Sequence, residues 1–105
     1  MNPAQRRHSA ISLDEAARQS PALAQLAERV HASSSRLAAI RPLLPSTLRS
    51  AVQAGPIDEE QWCLLVSSNA VAAKLRQLVP ALLLHLQANG LAVPGIRIKV
   101  QGRTL

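Results

Sequence analysis

Residues 61–90 read QWCLLVSSNAVAAKLRQLVPALLLHLQANG. The run Trp62 to Val66 is apolar at every position, as a strand covered on both faces requires, and it is too short for an ordinary helix. Ser68 or Asn69 then offers a side-chain oxygen to an unpaired amide of a helical first turn. From there Val71, Leu75, Leu78, Val79, Leu82, Leu83 and Leu86 fall on one broad face at about 100° per residue. Asn89 and Gly90 tolerate left-handed backbone and close the helix. Pro80 lies inside it, removes one backbone hydrogen bond, and predicts a kink or a break near Arg76.

The flanking segments complete the pattern. Downstream of Pro94 and Gly95, Ile96 to Gln101 alternates as a strand whose apolar side points inward and whose Arg97 and Lys99 point outward. Upstream, Thr47 to Ala54 sets Leu48, Val52 and Ala54 on one parity and Arg49 and Gln53 on the other, the period of a half-exposed strand that Gly55 and Pro56 would break. Asp58, Glu59 and Glu60 form an acidic connector, so this strand and the run from Trp62 pair as an antiparallel hairpin. Ser20 and Pro21 start a helix that extends to about Ile40, weakened at Ser33, Ser34 and Ser35 and ended by Pro42 and Pro45. Along it Leu23, Leu26, Val30, Leu37, Ile40 and Leu44 recur as one buried stripe. Ser12 and Glu15 form a capping box that begins a short helix near Leu13.

The predicted class is therefore α+β, in the order helix, helix, strand, strand, helix, strand, with a three-stranded sheet carrying its helices on one face. Residues 12–101 form one domain, residues 1–11 a short basic extension and residues 102–105 the C-terminal end. A chain of 105 residues has room for one core. With no Phe, no Tyr and one Trp, that core is built from Leu, Val, Ile and Ala.

Twelve Lys and Arg against six Asp and Glu give a net charge of +6, and the sequence pI is near 11.4. Such a balance points to polyanions, and the excess of arginine over lysine suits phosphate, which the guanidinium grips with two parallel hydrogen bonds. The open sheet face is expected to present Arg49, Gln53, Arg97, Lys99 and Gln101, with Cys63 and Leu65 between them. Arg6, Arg7, Arg36 and Arg41 are the other candidate phosphate ligands. Without aromatic residues on that face there is no base stacking, so contact would be non-sequence-specific.

Catalytic chemistry is not expected. The acids are scattered, His8, His31 and His85 have no metal-ligand spacing, and no phosphate-binding glycine loop occurs among four glycines. Neither a metal nor a cofactor is implied. Cys63, the single cysteine, reads as a small buried hydrophobe. Met1 to Ala10 lacks the apolar segment of a secretory signal, and the longest apolar run, Leu78 to Leu84, is far too short to span a bilayer. The expected location is the cytoplasm, in association with the nucleoid.

The helix between the Ser68 or Asn69 cap and the Asn89–Gly90 stop has a second unusual property. Opposite its apolar stripe lie Ala73, Gln77, Pro80, Ala81 and Leu84, flanked by Lys74 and Arg76, which is an unusually apolar outward side for a solvated helix. Either a neighbouring helix buries Leu84, or this side docks a partner protein through Lys74, Arg76, Gln77, Ala81 and Leu84.

The segment Asn69 to Leu82 contains Ala-x-Leu-Arg-x-Leu-x-Pro-x-Leu from Ala73 onward and resembles the DciA family. The likeness extends to Leu43-Leu44-Pro45, to the strand around Leu64-Leu65-Val66 and to the closing strand Ile96 to Val100. It implies a KH-like domain that binds the bacterial DnaB-type replicative helicase, assists its loading at replication initiation, and contacts single- or double-stranded DNA. Many members carry Trp at the position of Val71 and a basic C-terminal tail; neither occurs in these 105 residues. The Gly-x-x-Gly clamp of true KH domains is also absent. Two other readings stay open: a general KH-like RNA-binding module with no helicase partner, and a protein-interaction domain whose charge maintains solubility.

Overall fold

The computed structural model of this chain describes residues 20–101. Helix α1 spans Pro21–Ile40. Its start follows from Ser20, whose backbone is extended and whose hydroxyl accepts the amide of Leu23 at 3.4 Å, with Pro21 fixing the first helical φ. The helix is not interrupted at Ser33, Ser34 and Ser35. Ser33 is buried because its hydroxyl is fully engaged in the core: it donates to the carbonyl of Gly55 at 2.6 Å and accepts from the indole Nε1 of Trp62 at 2.8 Å.

A 3₁₀ turn, Arg41–Leu43, contains Pro42 and leads to a one-turn helix α2, Ser46–Arg49. This overturns the first part of the strand expected over Thr47–Ala54; only Val52–Ala54 is strand, and it pairs antiparallel with the run from Trp62 as the hairpin reading expected. Leu44 and Leu48 are four residues apart and both buried, so helical spacing governs here, and the period-two pattern of Leu48, Val52 and Ala54 is a coincidence of two elements. Strand β1 is Val52–Ile57 and runs through Gly55 and Pro56 instead of ending at them. Proline is admissible because β1 is an edge strand, and the register shifts between Ala54 and Ile57 as a bulge. Gly55 is required: a Cβ there would stand 3.0 Å from the carbonyl oxygen of Cys63 and 3.1 Å from Leu65.

Strand β2, Trp62–Val66, is central, antiparallel to β1 and parallel to β3, Ile96–Val100. A parallel neighbour needs a long crossover, which helix α3, Asn69–Ala88, provides. Ser68 caps α3 by accepting the amide of Val71 at 3.2 Å. The helix is continuous through Pro80, so the break expected near Arg76 does not occur. At its end Gly90 takes φ 73°, the amide of Leu91 reaches the carbonyl of Leu86 at 2.8 Å and that of Gly90 reaches Gln87 at 3.2 Å. These two bonds are the paired closure that left-handed backbone after a helix permits.

The core joins Leu37, Ile40, Leu44 and Leu48 to Trp62, Leu64 and Val66 of the sheet and to Leu75, Leu82 and Leu86 of α3. Helix α1 packs on β1, and α3 packs on β3. The stripe of α1 is buried only in its second half, at Leu37 and Ile40; Leu23, Leu26 and Val30 are 40, 58 and 59 % exposed. A helix of 20 residues is about 30 Å long, and its first half overhangs the sheet. The short helix expected near Leu13 lies outside the described residues.

Trp62→Ala should lower stability by about 3 to 5 kcal/mol. Ser33→Ala should cost about 1 to 3 kcal/mol for each polar group it orphans, namely the Trp62 N–H and the Gly55 carbonyl. Urea unfolding followed by circular dichroism measures both; a Ser33→Ala chain as stable as the parent would remove the hydroxyl from the account of the core.

Candidate nucleic-acid interface

Because successive side chains of a strand alternate between faces, the register fixes what the helix-free side of the sheet displays. Cys63 is opposite Arg97, and Leu65 is opposite both Lys99 and Gln53. Arg97 and Lys99 are exposed, about 6.6 Å apart along β3. Gln53 and Gln101 are exposed as expected, Leu65 is half-buried and Cys63 is buried. A hollow of about 210 Å³ on this side is lined by Pro56, Asp58, Gln61, Cys63, Arg97 and Lys99.

Asp58 closes the β1–β2 connection by accepting two backbone amides on Oδ1, from Glu60 at 2.8 Å and from Gln61 at 2.9 Å. These bonds hold its carboxyl below the ordinary value of 3.8, with the charge of Arg29 adding to the effect. One end of the hollow is thus a fixed anion.

Arg49 does not belong to this surface. It lies on α2, and its Nε donates to the carbonyl of Leu44 at 3.0 Å, so the guanidinium closes the turn before its own helix. Arg36 is also committed internally: Nε donates to the carbonyl of Leu91 at 3.1 Å and Nη1 to that of Ala32 at 3.0 Å, tying α1 to the segment after α3. His85 makes a similar bridge, its Nε2 lying 3.0 Å from the carbonyl of Ala39. Arg41 is exposed on the 3₁₀ turn. Arg6 and Arg7 lie outside the described residues.

No family model matches this chain, and neither does any curated protein. Lys74, Arg76, Gln77 and Ala81 are exposed on α3, and Leu84 is 68 % exposed. Among the described residues no helix covers Leu84, so the expectation that a neighbouring helix buries it is not met there. Among the described residues no group of three or more His, Cys, Asp and Glu is placed to hold a metal ion, and no helix is long and apolar enough to cross a membrane. A larger groove between α1 and β1, lined by Leu26, Val30 and Ile57 among others, was not read from the sequence. Its signal was the apolar stripe of α1, which outruns the sheet available to cover it.

The depressed carboxyl of Asp58 has a thermodynamic sign. A group whose folded value is lowered stabilises the fold above its unfolded value and loses that contribution as pH falls through the folded value. The stability difference between the parent and Asp58→Asn should therefore be constant near neutrality and shrink below pH 3.8. Urea midpoints measured across that range give the result, and a difference independent of pH would assign Asp58 no linked proton.

Proposed function

We propose that this protein is an accessory factor of the DciA kind, which acts by binding: it docks on a DnaB-type replicative helicase and contacts DNA without reading its sequence. One observation carries this reading. The segment that resembles the family, Asn69 to Leu82, belongs to a helix whose outward side has Leu84 and Ala81 in solvent between Lys74, Arg76 and Gln77. An apolar patch rimmed by polar and cationic groups, with no structural task, is the usual composition of a docking surface.

The DNA contact rests on Arg97 and Lys99, with Arg41 as a further exposed cation. Phosphate contact of this kind positions a protein on nucleic acid and carries little sequence information. The α+β arrangement, with a mixed sheet and both long helices on one side, supports a KH-like classification. The absent Gly-x-x-Gly clamp argues against RNA capture in the manner of true KH domains. On this reading the protein is not an enzyme, needs no metal or cofactor, and works at the nucleoid.

Two experiments separate the two contacts. Leu84→Glu with Ala81→Glu should abolish association with purified replicative helicase in a pull-down while leaving the thermal melt near that of the parent. A folded double variant that still binds would move the docking surface elsewhere. Arg97→Gln with Lys99→Gln should weaken DNA binding and reduce the slope of log K against log salt by roughly two units, about one per lost phosphate contact. Arg49→Gln should change that slope less than either substitution on β3, because Arg49 lies on α2, away from the strand that carries Arg97 and Lys99.

A further inference from the structure

The first half of α1 stands free of the sheet, and between it and β1 lies a groove of about 510 Å³. Leu26 and Val30 form one wall, Ala54, Pro56 and Ile57 the other, and Leu65 is reached past the missing side chain of Gly55. Arg29 and Asp58 stand at its rim. Leu23, Leu26 and Val30 continue the same stripe that Leu37 and Ile40 bury farther along, since positions three, seven, fourteen and seventeen residues on from Leu23 return to one side of a helix at about 100° per residue. The stripe is therefore one surface, covered at its C-terminal end and uncovered at its N-terminal end.

We propose that this groove is occupied by the chain's own segment Ile11–Gln19. The argument is independent of the helicase and DNA reading. First, the segment has the matching pattern. In the helix that the Ser12–Glu15 box predicts, Leu13, Ala16 and Ala17 would fall on one face, and Ile11 precedes the cap at the position from which an apolar residue would staple onto Ala16. Second, it is in reach. The segment joins α1 at Ser20, whose extended backbone before Pro21 suits a reversal of direction. A helix of about six residues spans about 9 Å, which brings Leu13 level with Leu26 when the two run antiparallel, and Ile11 beyond it toward Val30. Third, its charge is complementary: Asp14 lies on the flank of the apolar face, opposite in sign to Arg29 at the rim. Finally, so short a tether gives an effective concentration on the order of millimolar, which favours this segment over a second copy or a separate peptide.

The test is paramagnetic broadening in the full-length protein. Ser9→Cys carries a nitroxide label, with Cys63 retained because it is buried; Cys63→Ala is the background to use if that thiol takes up label. The amide signals of Val30, Ser34 and Ile57 should be lost, and should return in the same labelled chain carrying Leu13→Asp with Ala17→Asp, whose thermal melt reports that the domain is still folded. A mixture of labelled chain with unlabelled ¹⁵N chain should show no loss. Loss in the mixture would give the groove to a second copy, and signals that persist in the labelled chain, or stay lost in the double aspartate variant, would each overturn the proposal.

Discussion

The fold depends on the satisfaction of a single buried donor. Trp62 is the only aromatic ring of its kind in the chain and is entirely enclosed, so its indole N–H must find an acceptor inside the core or forfeit its hydration without return. Ser33 is that acceptor, and its own proton goes to Gly55. Three elements, α1, β1 and β2, are thereby pinned at one point. Because Ser33 lies past the middle of α1, the pin also determines how much of the helix remains above the sheet and how much projects beyond it.

The parts of the fold legible in the sequence were those with one dominant signal. Trp62–Val66 is apolar at every position, Ile96–Val100 alternates, and both long helices carry caps that the structure uses at Ser20 and Ser68. The segment around Arg49 misled because helix and strand spacing overlap over a few residues: Leu48 belongs with Leu44 in a turn of helix, while Val52 opens the next element. Gly55 and Pro56 looked like a terminator, yet they occupy a bulged edge strand, where a missing side chain and a missing donor are tolerated. Proline inside α3 was likewise absorbed, since the packing of Leu75, Leu82 and Leu86 holds the helix on both sides of it.

Of the candidate site, the cations of β3 were legible because alternation alone sets their side. The tasks of Arg36 and Arg49 were not, because each binds a carbonyl whose position depends on tertiary structure or on a local turn. Side-chain charge counted in a sequence overstates the charge available to a ligand wherever arginine acts as a strut. Use of its donors on backbone leaves the net charge of the molecule unchanged but reduces the directional contacts that a phosphate could use.

The edges of the sheet differ in a way that bears on how the molecule behaves when crowded. Along β1 the carbonyl of Gly55 is occupied by Ser33 and Pro56 has no N–H to offer, so a foreign strand finds an interrupted ladder there. The opposite margin, β3, keeps a regular backbone, but its exposed positions alternate Arg97 and Lys99. Two such strands brought side by side would set like charges against each other. The two cations of this margin therefore disfavour growth by strand addition, each repelling its counterpart on an incoming copy of the same strand.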